Sequence, residues 1–185
     1  MKNFKIKILD QYWIDKNPNN KTDLCSHGLI QLEIGETIII DEQDNDWTLN
    51  TAGLMLLRTI NNSHDTNSSF PIIQHCGQLA MLGCPISVDW QVSHKNGNVV
   101  ISDPRKLLTT DSKDLINYSI GRVNVERKTY IREIVRFCDE IKRFFKDKNR
   151  DFTDEYYKSE WSGFWQEFDD LLEKHRIELK NKSTL

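Results

Sequence analysis

The sequence predicts an α+β fold, an antiparallel β-sheet packed against helices, with a C-terminal antiparallel helical hairpin. Three observations predict it. Ile86, Val88, Trp90 and Val92 alternate with Ser87, Asp89, Gln91 and Ser93 at period two and lead into Asn96-Gly97, a pair that tolerates the positive φ of a tight hairpin. Residues 29–34 and 37–40 are rich in β-branched side chains and flank Gly35-Glu36. The last third carries two consecutive segments with apolar residues at helical spacing, the first basic and the second acidic.

The elements follow in order. Phe4, Ile6 and Ile8 alternate with Lys5 and Lys7, the pattern of a half-buried strand. Residues 11–14 continue it into a polar loop, 15–21, punctuated by Pro18. Gly at the first turn position of Gly35-Glu36 predicts a type II′ hairpin, with Gln31 and Glu33 on its polar face. Leu54, Met55 and Leu57 mark a short helix over 48–60, with Thr48 or Asn50 as its N-cap. Gly53 within it costs about 1 kcal/mol relative to Ala, so packing must stabilise that helix. Residues 61–69 contain no aliphatic side chain and predict an exposed loop, followed by a short buried run at 70–73. After the hairpin, Asp103-Pro104 is expected to stop the pairing.

From 126 to 146, Tyr130, Ile131, Ile134, Val135, Cys138, Ile141 and Phe145 form one apolar stripe. From 152 to 176, Tyr156, Trp161, Phe164, Phe168, Leu171 and Leu172 form another. Ten Lys and Arg face five acids between Arg122 and Arg150, whereas eight acids face one Lys between Asp151 and Glu173. Opposite charge and a short turn around 148–151 predict antiparallel pairing of the two helices. The chain is thus expected to be a single domain over 1–185, mainly β with one helix over 1–105 and a helical hairpin over 122–180.

Composition narrows the function. With 25 Lys and Arg against 28 Asp and Glu, the net charge of −3 argues against a strongly basic nucleic-acid binder. No apolar run reaches the roughly 20 residues of a membrane span, and the alternating first ten residues do not resemble a signal peptide. A cytoplasmic location is expected, where Cys25, Cys76, Cys84 and Cys138 are thiols. No phosphate-cradling glycine motif is present. His27, His75, Cys25, Cys76 and Cys84 are soft or borderline donors, but their spacings depart from those of ordinary zinc sites. Adjacent His75 and Cys76 are also poorly placed to face one ion from an extended backbone. No metal, cofactor or catalytic residue is therefore assigned, and the thiols are expected to act as small hydrophobes. A Cys–His nucleophilic pair drawn from Cys76 or Cys84 with His75 or His94 lacks any supporting local signature. Asp89 and His94 fall on opposite faces of their strand.

The most suggestive surface feature is Asp41, Glu42, Asp44 and Asp46 followed by Trp47. Four carboxylates over six residues favour solvent, and an aromatic beside exposed charge has the composition of a binding anchor. The alternative is a solvated turn, with Trp47 opening the next helix as a core residue. Glu160, Trp161 and Trp165 form a second aromatic and acidic candidate.

His75-Cys76-Gly77 and Gly83-Cys84-Pro85-Ile86-Ser87-Val88-Asp89-Trp90-Gln91-Val92-Ser93-His94, preceded by Leu56-Leu57-Arg58-Thr59, resemble small bacterial immunity proteins encoded beside polymorphic or contact-dependent growth-inhibition toxins. The resemblance spans residues 50–105. It implies a cytosolic, non-enzymatic inhibitor whose partner is a cognate toxin domain, often a nuclease, with no nucleic-acid or membrane ligand of its own. It carries no catalytic residues onto this chain. The modest net charge departs from the more acidic nuclease inhibitors. The competing expectation is a small thiol- or zinc-dependent hydrolase built on His75, Cys76 and Cys84.

Overall fold

The computed structural model describes residues 3–67, 70–76, 84–146 and 149–181. The elements, in chain order, are β1 (Phe4–Ile8), β2 (His27–Gly28), β3 (Ile30–Ile34), β4 (Thr37–Ile40), β5 (Trp47–Thr48) and α1 (Leu49–Thr59). They continue with β6 (Ile73–Gln74), β7 (Ser87–Lys95), β8 (Asn98–Leu107), β9 (Ile116–Asn117), β10 (Val123–Glu126), α2 (Arg127–Phe145) and α3 (Glu155–Asn181). The fold is α+β, and every strand pairing is antiparallel. One sheet has the order β1-β3-β4, a second runs β10-β8-β7-β6 with β9 also on β8, and β2 with β5 makes a two-stranded ribbon.

Both hairpin turns follow their sequence chemistry. Gly35 at φ +64 connects β3 to β4, and Asn96 at φ +52 with Gly97 at +76 connects β7 to β8. Two positive φ values in succession are the signature of a type I′ turn, whose twist matches that of the flanking strands. Pro104, however, does not end β8. Asp89 pairs with Arg105 and Gln91 with Ser102, so Trp90 faces two residues, Asp103 and Pro104. This bulge lets Asp103 take φ +52, and the Pro104 carbonyl accepts the Tyr118 amide instead of the chain leaving the sheet.

The helices meet the sheets at an aromatic junction. The Phe4 ring of β1 stands 4.7 Å from Tyr130 of α2 and 6.4 Å from Trp90 of β7, all three fully buried. The Tyr130 hydroxyl hydrogen-bonds Thr59 Oγ1 of α1 at 2.8 Å. Buried in the core on nearly every side, α1 exposes only Arg58 in part, and that guanidinium reaches Glu167 of α3 at 2.7 Å. Thr48 occupies its N-cap position without capping it; the hydroxyl instead donates to the His75 carbonyl. Gly53 is where α2 and α3 approach α1. A Cβ there would lie 2.9 Å from both Ile141 Cδ1 and Phe168 Cε2. The glycine is therefore a packing requirement as well as a propensity cost.

Contacts between α2 and α3 run in antiparallel order: Arg127 with Glu178, Lys142 with Asp169, and Phe145 with Trp165. The connection is longer than the short turn expected, because it straps the N-terminal loop. Arg150 donates to the carbonyls of Asn20 and Asp23 and stacks 3.9 Å above the Trp13 ring, while the Asp151 amide donates to Lys21. The exposed loop expected at 61–69 is also partly drawn in, since His64 bridges to Val92 and Thr66 is buried. The stretch 77–83, where Gly77 and Gly83 are expected to bracket a turn, lies outside the described residues. Among those described, no helix is long and apolar enough to cross a membrane.

Two outcomes follow from this packing. Gly53→Ala should lower stability by about 1–2 kcal/mol, because overpacking outweighs the gain in helix propensity; urea denaturation measures it. His175 is fully buried, with Nδ1 3.3 Å from Glu178 and Nε2 within 3.4 Å of the Asn61 amide. Burial holds its pKa below the usual value, despite Glu178. The unfolded chain therefore binds this proton first, and stability should fall as pH drops below about 6.5. Stability curves of parent and His175→Gln should converge towards acid, with the parent steeper.

Candidate functional site

The acidic run 41–47 is consumed by the fold to a large extent. Trp47 is fully buried in β5, which corrects the expectation of an exposed aromatic anchor there. The cause is its pairing with Gly28 of β2, which places the indole in the core beneath α1. Asp44 is also turned inward. Both its oxygens accept from Lys106 Nζ at 2.9 Å, and Oδ2 accepts the Asp41 amide. Burial opposes the Lys106 charge, but bonds to Asp44 and Tyr118 outweigh it and raise its pKa. Asp46 lies beside the Tyr12 hydroxyl, whose pKa is pushed up by burial and then by that carboxylate. Only Asp41 and Glu42 of the four carboxylates stand fully exposed.

The second candidate is better placed. Trp161 of α3 is half-buried, between Phe145 at 5.7 Å, Phe152 at 6.0 Å and Trp165 at 5.5 Å. Trp165 itself is buried and lies under the Lys142 ammonium at 4.6 Å, so it anchors the helix pair and leaves the surface to its neighbours. Tyr156 is 61 % exposed and stacks edge-on with Tyr157. Asp151, Asp154 and Glu155, close to these rings in sequence, are exposed, Glu155 in an ion pair with Lys158, and Glu160 is half-buried. Asp154 also accepts the Tyr157 amide and so caps the start of α3.

Of two further polar clusters, the first was not visible in the sequence and the second is the one on which the competing hydrolase expectation was built. Asp89 is buried on β7, where Oδ1 pairs with His64 Nε2 at 2.8 Å and accepts the Ile72 amide at 3.2 Å. Arg105 reaches Oδ2 at 3.4 Å and also donates to the Thr66 carbonyl. This network ties the 61–67 loop and β6 to the β7–β8 hairpin, and the partner of Asp89 is His64 instead of the exposed His94. The second cluster is His75, Cys76 and Cys84, whose ligand atoms all lie within 4.8 Å of one another. His75 and Cys76 do face one point, contrary to the objection from their adjacency. His27 does not join them; its Nε2 lies 3.4 Å from Asp23. Burial, followed by the neighbouring Cys84, raises the Cys76 thiol pKa. Cys25 is buried, with its pKa pushed up to about 12, so it is an inert core thiol.

Compared with known proteins, the chain matches no family model, no curated protein and no solved structure.

The geometry separates structural acids from surface acids. Asp44→Ala should cost about 3–5 kcal/mol by leaving the Lys106 ammonium buried and unpaired. Asp41→Asn with Glu42→Gln should stay within about 0.5 kcal/mol of the parent. Chemical denaturation of the two variants checks both.

Proposed function

We propose that this chain is a non-enzymatic inhibitor of the immunity type, neutralising a cognate toxin domain through the surface at the start of α3. The observation that carries this is the exposed Tyr156, in ring contact with Tyr157, in a short stretch that also holds the Phe152–Trp161 pair, exposed Asp151, Asp154 and Glu155, and half-buried Glu160. Tyr and Trp dominate binding hot spots because they supply large contact area at low conformational cost. A carboxylate rim complements the basic cleft with which a nuclease holds phosphate, and complementary charge chiefly accelerates encounter. The acidic run 41–47 retains Asp41 and Glu42 as secondary steering charges, without Trp47.

The reading requires a toxin domain encoded beside this chain, and that domain is the partner for binding kinetics at two ionic strengths. Tyr156→Ala should raise the dissociation rate roughly 10- to 30-fold, the effect of losing a hot-spot ring. Glu155→Gln with Glu160→Gln should lower the association rate and flatten its dependence on salt. Asp154 is spared because it caps the helix. If both folded variants bind and protect cells like the parent, the interface lies elsewhere. If the parent itself does not bind the toxin domain, the inhibitor function is wrong.

A further inference from the structure

We propose that His75, Cys76 and Cys84 form a zinc-binding site that clasps the end of β6 to the approach to β7. Their ligand atoms already lie within 4.8 Å of one another, with His75 Nδ1 3.9 Å from Cys84 Sγ. In tetrahedral zinc sites with Zn–S of about 2.3 Å and Zn–N of about 2.0–2.1 Å, adjacent donors stand roughly 3.5–3.8 Å apart. The three donors therefore need to close by about an ångström or less, which side-chain rotation supplies.

The backbone explains why residues so poorly spaced in sequence converge. Ile73 pairs with Val88 and Gln74 with Ser87, and the His75 amide donates to the Ile86 carbonyl at 3.1 Å. Continued by one step, that ladder sets Cys76 against the chain entering from Cys84. From the other side, the Thr48 hydroxyl holds the His75 carbonyl at 3.1 Å. Both arms of the site thus rest on ordered strands, one of them fixed to the start of α1.

The donor set selects the ion. Two thiolates and an imidazole suit zinc, whereas magnesium and calcium take oxygen ligands. His75 and Cys84 are half-buried and Cys76 is exposed, so an ion can enter from solvent. Three protein donors leave the fourth tetrahedral position to water. The role assigned is to hold the β6–β7 edge, with the fourth position open to water or a further ligand as in three-donor sites. By joining residues on either side of the 77–83 connection, the ion restricts the unfolded chain and stabilises the β6–β7 edge.

The test uses the full chain, produced with zinc in the medium and purified under reducing conditions without chelator. Elemental analysis should find about one zinc per chain. Replacement by cobalt should give a thiolate-to-cobalt charge-transfer band, lost in Cys76→Ser/Cys84→Ser and retained in Cys25→Ser. Cys84→Ser alone removes a direct ligand and should weaken zinc affinity by roughly 100-fold or more, beyond the about 10- to 100-fold that outer-shell partners of a ligand contribute. Should the double variant fail to fold, the parent still decides the matter: blocking its accessible thiols should release the zinc in step with two thiols modified. Absence of both zinc and the cobalt band would overturn the proposal. So would zinc retained in a folded double variant, or a Cys76–Cys84 disulfide persisting in the chain as purified under reducing conditions.

Discussion

A helix buried on almost every side is the constraint on which the rest of this structure depends. From Leu49 to Leu57, and again at Thr59, α1 offers no face to water. Such a helix has to be enclosed by other elements, and it has to satisfy its own polar side chains internally. It does both. Asn50 accepts the Ser26 amide and lies within hydrogen-bond reach of the Leu24 carbonyl; Thr51 returns to the Thr48 carbonyl; Thr59 serves Leu56 and Tyr130. Gly53 lets Ile141 and Phe168 approach the backbone, so α2 and α3 can close over α1 together. The β2–β5 ribbon, which carries Trp47 into the core, leads the chain directly into this helix.

Charge inside the fold is handled by pairing. Asp89 with His64 and Arg105, Asp44 with Lys106, and Glu133 with Arg136 each hold a buried carboxylate against a cation. Removing one member of such a pair leaves the other without a partner, which is why these groups are structural even where they sit beside exposed loops. The acids at the start of α3 are exposed instead, Glu155 in a solvent-facing pair with Lys158, and Tyr156 reaches solvent there too. The proposed recognition surface lies at the beginning of α3, and the proposed zinc site lies apart from it, at the β6–β7 edge.

Local patterns carried much of the architecture. The period-two run around Trp90 and the Asn96-Gly97 turn specify β7 and β8, and the apolar stripes of Tyr130 to Phe145 and Trp161 to Leu172 specify α2 and α3. What stayed hidden was non-local. Asp89 looked like a polar-face residue until His64, twenty-five positions away, supplied its partner. Trp47 beside four acids stayed open between anchor and core residue, because pairing of two-residue strands leaves no periodic trace. His75, Cys76 and Cys84 were already grouped in the competing reading, but their spacing argued against convergence, which the register of β6 on β7 supplies. Pro104 misled for a different reason, since a bulge can absorb a proline that a regular ladder cannot. Helix α3 runs on to Asn181, where Arg176 and Glu178 pair with α2 and Leu179 packs against the core.

The central claim, that α1 is the strut enclosed by everything else, is tested most directly by native-state hydrogen exchange. Buried helices that open only with the whole molecule exchange at the free energy of global unfolding. Amides of Leu54 to Thr59 should therefore be among the slowest in the protein, exchanging with the same opening free energy and denaturant dependence as the centre of the β7–β8 ladder. Exchange of these amides through a smaller, denaturant-insensitive opening, while β7 and β8 remain protected, would contradict the account.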